Sequence, residues 1–395
     1  MKQLPLLLLA ILFFAPYRAN AQSDLDSLYH EGLQEMQAFK YQQALELFFE
    51  CQRNDPFNPE YLSKVGYCYF QLGNLQEAQI YFKEVMKKDS VHVSSLNYLA
   101  TIEEQMLDYR SALGRVEQLI GLDSTNSYYY RTAGHLSEKL GRPGKAMIYY
   151  QQAISLNPGD QAALVAYCNL LSAVGDLHQA DSILESALHK QPKNLKLLYE
   201  SAKANYRLRT YEQVLPRFEK ALEMGDTNLV YLPLLPYSLS QMERCGEAVP
   251  WMEYILEKKE PNEQLHYFLG FCYNKLDSIE KSIEHYELAV EEGLSPNLGV
   301  YYQHMGDIMA KQDKHRTALK NYELAQKYGN TDPVIFFHMA VAFDHVYIKD
   351  KKRPLSFYKK YLANYDAKNP DFKAYAKKRV EEIDYYEKYI WKGNN

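Results

Sequence analysis

The sequence lacks the short motifs that mark the common enzyme classes. It has no His-Glu-x-x-His, no Walker phosphate loop, no Gly-x-Ser-x-Gly and no dinucleotide-binding fingerprint. Acidic neighbours such as Glu291 and Glu292 diverge by about 100° on a predicted helix, so they do not form the paired carboxylates of an acid–base site. We therefore expect no catalytic residue and no cofactor.

Cysteine is scarce and irregularly spaced. The chain has five cysteines, and no two of them form a Cys-x-x-Cys pair, which argues against zinc or thioredoxin-like chemistry. We expect them to be small core residues, and Cys51 and Cys68, on neighbouring predicted helices, are the one pair to consider for a disulfide. His338 and His345 are about 10 Å apart along a helix, which is too far for one metal ion, so we expect no metal site.

Long hydrophobic runs are absent after the first 21 residues. A basic start, an apolar run over Leu4–Phe14 and the small residues Ala19–Ala21 are typical of a secretory signal peptide over residues 1–21. The alternative is an N-terminal membrane anchor, for which the run is short. We expect an exported protein, which in a Gram-negative bacterium means a periplasmic one.

Positive charge is not in excess over the whole chain. The 45 Lys and Arg stand against 50 Asp and Glu, a net charge of −5, which argues against nucleic acid as the partner. From Lys349 onward the balance reverses, with 13 basic and seven acidic residues. We expect Lys377, Lys378 and Arg379 to form a solvated helix face; the alternative is that this region contacts a membrane or an acidic partner.

A 34-residue period organises the residues that are present. A small residue recurs at this spacing, with a bulky apolar residue four positions later and another apolar residue three positions after that. These spacings place all three side chains on one face of a helix. The small residues are Ala44, Ala78, Ala112, Ala146, Ala180, Val214, Ala248 and Ser282, followed after a two-residue insertion by Ala318. The bulky residues include Phe48, Phe82, Val116, Tyr150, Phe218, Tyr286 and Tyr322.

Each period also contains a matching first helix. Gly66, Gly134, Gly270 and Gly306 each stand 12 residues before the small residue of their period, and Ala100 takes this place in another. Residues of this size allow the two helices of a hairpin to approach closely. Glycines that can end the first helix in the left-handed conformation follow at Gly73, Gly141 and Gly175.

The pattern resembles the tetratricopeptide repeat, a helix-turn-helix unit of 34 residues, over about Leu25–Asp332. The resemblance implies an all-α fold, a right-handed α-solenoid of about nine or ten helical hairpins with a C-terminal capping helix. The array is expected over residues 22–332, with repeats starting near 25, 59, 93, 127, 161, 195, 229, 263 and 299. Residues 333–365 read as a degenerate tenth repeat, and residues 366–395 as an amphipathic capping helix and tail.

Two prolines depart from the pattern. Pro233 and Pro236 lie inside the first helix of the seventh repeat and predict a kink or local break there. We expect a change of curvature between Asp226 and Cys245, and a division into two subdomains at that place is an alternative. The capping helix is predicted to bury an apolar stripe made of Phe372, Tyr375, Val380, Ile383, Tyr386 and Ile390.

The resemblance also implies a binding surface. Members of the family expose groove side chains at the second, fifth, ninth and twelfth positions of the repeat, on the first helices. Aromatic rings interleaved with polar groups at these positions suit peptide recognition, whereas the alternative is that the rings pack against neighbouring repeats. The candidate partner-binding residues are Tyr67, Phe70, Asn97, Tyr128, Arg131, His135, Tyr199, Lys203, Tyr206, Tyr237, Tyr267, Phe271 and Asn274.

The carboxylate clamp of chaperone-binding family members is not recognisable here. Arg131 and Lys196 fit it, but His135, Ala166 and Glu200 stand where it needs Asn, Asn and Arg. The expected function is therefore a non-catalytic scaffold that binds another protein or peptide segment in the concave groove. The alternative is an envelope assembly or secretion accessory that docks to a membrane or membrane protein through its basic C-terminal region. The sequence leaves the partner and the oligomeric state open.

Overall fold

The computed structural model of the chain describes residues 25–258, 262–292, 296–348, 350–365 and 368–389. Within these ranges the regular secondary structure is entirely helical, with no strand, and consecutive helices pack in pairs. The prediction of an all-α solenoid of helical hairpins is confirmed. The predicted signal peptide over residues 1–21, Lys349 and the end of the predicted capping segment from Ile390 lie outside the described residues.

The helices alternate between a first and a second position in each hairpin, and α21 follows the last hairpin. The first helices are α1 (25–37), α3 (Pro59–Gln71), α5 (Val93–Gln105), α7 (Ser127–Lys139), α9 (Gln161–Ala173), α11 (Leu195–Leu208), α13 (Leu234–Gln241), α15 (Glu263–Lys275), α17 (Leu298–Lys311) and α19 (Val334–Val346). The second helices are α2 (Tyr41–Asn54), α4 (Leu75–Lys88), α6 (Tyr109–Leu122), α8 (Pro143–Leu156), α10 (Leu177–Lys190), α12 (Tyr211–Glu223), α14 (Cys245–Lys258), α16 (Ile279–Glu292), α18 (His315–Lys327) and α20 (Lys352–Ala363). The final helix is α21 (Pro370–Tyr389).

The hairpins belong to two compact units, with the boundary in the sequence between Ala187 and Leu188. We call them the first unit and the second unit. The boundary therefore lies inside α10 rather than between Asp226 and Cys245. The reason is that the core of the second unit continues through the proline-containing region, where Leu235 belongs to the same buried cluster as residues on either side of it.

Close contact between a glycine of the first helix and an aromatic ring of the second helix is found in five hairpins. A Cβ atom on Gly134 would lie 2.7 Å from the Tyr150 ring, and one on Gly306 would lie 2.5 Å from the Tyr322 ring. Both rings are buried, because the glycine leaves space for them. Three other glycines face a ring in the same way. The distance from an added Cβ atom to the ring would be 2.8 Å for Gly32 and Phe48, 3.2 Å for Gly66 and Phe82, and 2.9 Å for Gly270 and Tyr286.

The small residues at the 34-residue spacing are the other half of this core. Ala44, Ala112, Ala180 and Ser282 have no solvent exposure, and the same is true of the equivalent positions in the other repeats down to Ala318. A side chain larger than these would separate the second helix from its neighbours. The period in the sequence is therefore a period of buried contacts.

The turn inside each of the first nine hairpins has one residue with a positive φ. Gly73 (φ 80°), Gly141 (φ 67°) and Gly175 (φ 91°) supply it without steric cost. Other hairpins use Leu107 or Phe39 at the same position, with φ of 63° and 59°. These residues accept a left-handed conformation that costs roughly 1 kcal/mol, so the hairpin imposes its turn even where glycine is missing.

The seventh hairpin has the predicted local break. Its first helix, α13, has only eight residues and starts after Pro233, while the preceding residues from Asp226 form turns. Pro236 lies in the first turn of α13, where its missing backbone N–H breaks no helical hydrogen bond. The prolines have therefore shortened the helix from its N-terminal side.

The five cysteines are buried and unpaired. Cys51 and Cys68, the pair considered for a disulfide, do not form one. Burial raises the pKa of the Cys68 thiol to about 12, as expected for a small apolar core residue.

The last helix covers the end of the array with a narrower stripe than the sequence predicted. Phe372, Ala376 and Ile383 face α19 and α20, and the Phe372 ring stacks on Phe337 at 4.3 Å between centroids. Tyr375 and Tyr386 are exposed, contrary to the predicted stripe. The spacing from Phe372 to Ala376 and then Ile383 follows the helical repeat more closely, which leaves the two tyrosines at its edges. Ile390 lies outside the described residues.

Arg379 fastens α21 to α19 and is not a purely solvated residue. Its Nε and Nη2 atoms donate to Oδ2 of Asp344 at 2.8 and 2.5 Å, and Nη1 donates to Glu382 at 2.6 Å. Lys351 also reaches Asp344, at 2.5 Å. These partners raise the pKa of Arg379 despite its partial burial. Lys377 is exposed on the same helix.

Gly134→Ala tests the contact between helix and ring. The added Cβ overlaps the Tyr150 ring, so we expect the free energy of unfolding to fall by about 1–3 kcal/mol in urea titrations. The control is Gly144→Ala in α8, where a Cβ meets nothing within 4 Å, and there we expect no loss. Equal effects of the two substitutions would contradict the role given to the close contact.

Arg379→Gln tests the attachment of α21. Removing the charged hydrogen bonds to Asp344 leaves that carboxylate with Lys351 alone, so we expect a loss of about 1–3 kcal/mol in thermal unfolding. Lys377→Gln on the exposed face should change stability by less than about 0.5 kcal/mol. If Lys377→Gln destabilises the chain as much as Arg379→Gln, the bonds to Asp344 do not hold the helix.

Candidate partner-binding groove

The candidate surface is the side of each first helix that carries the predicted groove positions. In the first unit, Tyr67 and Phe70 on α3 are half-buried. Both rings contact Tyr98 of the next first helix, with centroids 5.4 and 5.3 Å away. Their contacts are therefore largely with the neighbouring repeat, and only part of each ring faces solvent.

A polar group of the first unit spans α5, α7 and α9. One nitrogen of Arg131, Nη1, donates to both carboxylate oxygens of Asp160 at 3.0 Å, and the guanidinium lies 5.2 Å from the centroid of the Tyr128 ring. His135 is exposed, and its Nε2 lies 3.3 Å from Glu104. Arg131 thus joins two repeats, while Tyr128, at 51% exposure, remains accessible.

Two predicted groove residues of the second unit are buried, which corrects their assignment as exposed. Tyr199 is 3% exposed; its ring stacks on Tyr231 at 4.8 Å and its hydroxyl donates to Asp226 at 3.0 Å. Tyr237 is 5% exposed and stacks on Phe268 at 4.6 Å. For Tyr199 the cause is the broken seventh hairpin, whose non-helical residues before α13 place Tyr231 on its ring.

Four other predicted positions are half-buried. The Lys203 ammonium group donates to Glu200 at 2.7 Å, and the Tyr206 ring packs against the core near Tyr211. The side-chain amide of Asn97 donates to the backbone carbonyl of Val93 at 3.0 Å. Asn274 lies in the last turn of α15.

The remaining predicted residues lie on α15, beside a pocket of about 410 Å³ in the second unit. Tyr267 forms part of its wall, and Phe271 lies one turn further along the helix, with the Lys275 ammonium group 5.6 Å from its ring centroid. The pocket lies between α15 and α17. Its lining residues are Glu263, Gln264, Tyr267, Phe268, Asn297, Val300 and Tyr301.

The pocket combines an aromatic wall with a polar rim. The Tyr267 ring stacks on Tyr301 at 4.9 Å, and the Tyr301 hydroxyl donates to Oε1 of Glu263. Burial raises the pKa of Tyr267, so its hydroxyl remains protonated at neutral pH. That hydroxyl lies 3.5 Å from Nε2 of His304. The site offers ring surface for packing and oxygen atoms for hydrogen bonds.

The candidate list from the sequence contains one of the seven lining residues, Tyr267, and omits Glu263, Gln264, Phe268, Asn297, Val300 and Tyr301. Val300 occupies the second position of the ninth repeat, so extending the same positional rule by one repeat finds it. Phe268 and Tyr301 belong to positions that are normally buried, and Glu263 starts its repeat. No positional signal identifies these three, because the pocket opens at the seam between two first helices.

Comparisons with known proteins agree with the repeat assignment. One tetratricopeptide-repeat family profile matches residues 139–206, and another matches residues 59–89 and 263–292. Tetratricopeptide repeats are thus matched over these three segments. Repeats of this kind generally mediate interactions between proteins rather than catalysis.

The similar proteins share low sequence identity with this chain. Tetratricopeptide repeat protein 21A of Mus musculus is 26% identical over 344 residues, which are 79% of this chain and 24% of that protein. The anaphase-promoting complex subunit CDC16 of Saccharomyces cerevisiae is 20% identical over 62% of this chain and 30% of its own length. The chain thus spans less than a third of these relatives. A solved tetratricopeptide repeat protein from Parabacteroides merdae aligns with 14% identity and a TM-score of 0.42, over 81% of this chain and 99% of that one.

The described part of the chain has neither a metal-binding cluster nor a helix that could span a membrane. No group of three or more His, Cys, Asp or Glu side chains there could hold a metal ion. No helix there is both long enough and apolar enough to cross a membrane.

Tyr199→Ala distinguishes a core residue from a groove residue. Because Tyr199 is buried, we expect its removal to lower the free energy of unfolding by about 3–5 kcal/mol, as for other buried aromatic residues. Tyr128→Ala, at an exposed position on the equivalent surface, should cost less than about 1 kcal/mol. Chemical denaturation of both variants makes the comparison, and a stable Tyr199→Ala chain would contradict the burial described here.

Proposed function

We propose that the chain is a non-catalytic interaction protein that binds a segment of another protein along its first helices, with the pocket between α15 and α17 as the main contact. The observation that carries the proposal is this pocket, because it combines concavity, ring surface and hydrogen-bonding groups. Its volume of about 410 Å³ suits one or two side chains of a partner.

The first unit supports this choice by contrast. There the rings of Tyr67 and Phe70 pack against Tyr98, and Arg131 is bound to Asp160. A partner would have to displace these contacts or bind beside them. At the pocket the ring of Tyr267 also packs on a neighbouring first helix, through Tyr301, but it lines a cavity as well, so a side chain of a ligand can enter beside the ring.

The lining residues indicate the chemistry of the partner segment. Tyr267, Phe268 and Val300 favour an apolar or aromatic side chain. Glu263 is the one charged residue among those that line the pocket, and one of its carboxylate oxygens accepts from Tyr301. Its other oxygen favours a hydrogen-bond donor from the ligand, such as an amide, hydroxyl or ammonium group. An acidic tail does not suit this rim.

The expected place of action is outside the cytoplasm, which rests on the signal-peptide pattern over residues 1–21. The envelope-docking alternative now rests mainly on the exposed Lys377 and Lys378, because Arg379 is bound to Asp344. The location outside the cytoplasm and the docking of the basic C-terminal region are both proposals. Cell fractionation with antibodies to the mature chain tests the location, and recovery of the chain in the cytosol with residues 1–21 attached contradicts it.

Val300→Arg is the test of the binding pocket. Val300 is partly exposed at the pocket wall, so a long charged side chain fills the cavity without disturbing the core. A random peptide library is first selected against the purified chain, and the selected peptides are then titrated by calorimetry. We expect the variant to bind them about tenfold more weakly or worse, since a blocked central pocket removes a major contact.

Val93→Arg is the matched control. Val93 is an exposed valine at the start of a first helix, α5, in the first unit, so it receives the same change of size and charge away from the pocket. Peptide affinity should remain at the wild-type value. If Val300→Arg binds as tightly as Val93→Arg, or if no peptide is selected, the proposed site is wrong.

A further inference from the structure

A pair of histidines lies behind the pocket in the core of the eighth hairpin. His266 on α15 is 5% exposed, and its Nδ1 lies 2.9 Å from Nδ1 of His285 on α16. The two rings stack with their centroids 5.1 Å apart. The pair therefore joins the two helices of this hairpin through one hydrogen bond between ring nitrogens.

The hydrogen bond depends on the protonation state of both rings. In the neutral pair, one Nδ1 carries a proton and donates it to the other. One added proton preserves the bond, because the charged ring can still donate to the neutral one. A second added proton makes both Nδ1 atoms donors at 2.9 Å, and the two charges then repel each other across the hairpin.

Groups from three helices surround the pair. The carboxylate of Glu292 lies 3.8 Å from Nε2 of His266, and the Tyr273 ring stacks on His285 at 5.4 Å. Burial lowers the pKa of both histidines, and the charge of His266 lowers that of His285 further, against the opposing effect of nearby carboxylates. The titratable and charged neighbours are Glu253 from α14, Tyr273 from α15, and Lys281, Glu284 and Glu292 from α16.

A third histidine connects this core to the pocket. His304 on α17 stacks on the Tyr286 ring at 5.6 Å, and its Nε2 lies 3.5 Å from the hydroxyl of Tyr267 in the pocket wall. Burial lowers the pKa of His304, and the carboxylate of Asp307 on the same helix opposes this shift. Since His266 directly precedes Tyr267 on α15, movement of that helix moves the pocket wall.

We propose that mild acid opens the hairpin of α15 and α16, because His266 and His285 must take up protons, and that the pocket beside it loses its ligand between about pH 7 and 5. The second part rests on the proposed function; the first part does not. The sign follows from linkage, since a histidine that is neutral when folded binds its proton more readily when exposed. This contribution to stability is complete above the ordinary histidine pKa of about 6.5 and is lost as the pH falls below it.

Hydrogen exchange of the whole chain at pH 7.5, 6.5 and 5.5 tests the first part. After correction for the intrinsic exchange rate, we expect the protection of α15 and α16 to fall about tenfold per pH unit below 6.5 for each proton taken up on opening. Amides of α3 to α8 in the first unit should show no such fall. Equal changes in both units, or no change in α15 and α16, would overturn the proposal.

His285→Asn supplies the variant, because the amide of Asn can replace Nδ1 in the hydrogen bond but does not titrate. In this variant the protection of α15 and α16 against hydrogen exchange should depend less on pH, because one titrating group has been removed. His178→Asn, an exposed position in the first unit, is the control and should retain the wild-type pH dependence. An unchanged pH dependence in His285→Asn would contradict the role of the pair.

Peptide titration at the same three pH values tests the second part. Loss of affinity in parallel with the exchange rates supports regulation of the pocket. Exchange that changes while affinity stays constant overturns the link to the pocket, even though the acid-sensitive hairpin stands. Acid-sensitive exchange with no selected peptide overturns the proposed function and leaves the acid-sensitive hairpin in place.

Discussion

Close packing of an aromatic ring against a glycine determines the distance between the two helices of a hairpin. Where the ring is Tyr150 or Tyr322, the facing residue is Gly134 or Gly306, and the space left by the missing Cβ is filled by the ring. A smaller Val116 occurs with Ala100 at the facing position. Another hairpin has Phe218 with Ala202 at these two positions, so the hairpin is kept while the residues change. Every groove position depends on this distance, because it places the first helices.

That constraint explains which parts of the fold the sequence could predict. Small residues at a fixed period identify buried contacts, since few other causes preserve a spacing over so many helices. The exposure of single rings was less predictable. Tyr199 and Tyr237 occupy groove positions of the repeat but are buried. For Tyr199 the reason is that α13 is shortened and the chain before it places Tyr231 over the ring on α11. A repeat position describes only the regular neighbours, and this neighbour is irregular.

The candidate pocket also lies where the regular spacing changes. The glycines of the eighth and ninth hairpins, Gly270 and Gly306, are 36 residues apart instead of 34. Val300 comes just after this insertion and faces the pocket together with Tyr267. Regular repeats bury their ring surfaces against each other, as Tyr67 does against Tyr98. At this seam Tyr267 stacks on Tyr301 in the same way, but a cavity remains beside the two rings, with space for a side chain of the proposed partner segment.

The same region contains polar groups where a more stable core would have apolar ones. Tyr286 replaces the phenylalanine found at Phe48 and Phe82, and its buried hydroxyl has no hydrogen-bond partner among the described residues. Such a group costs about 1–3 kcal/mol, and the neighbouring pair of His266 and His285 is stable only while its charge is low. Both features lower the local stability beside the pocket. Binding sites commonly occupy such regions, because a segment that opens at low energy can adjust to a ligand.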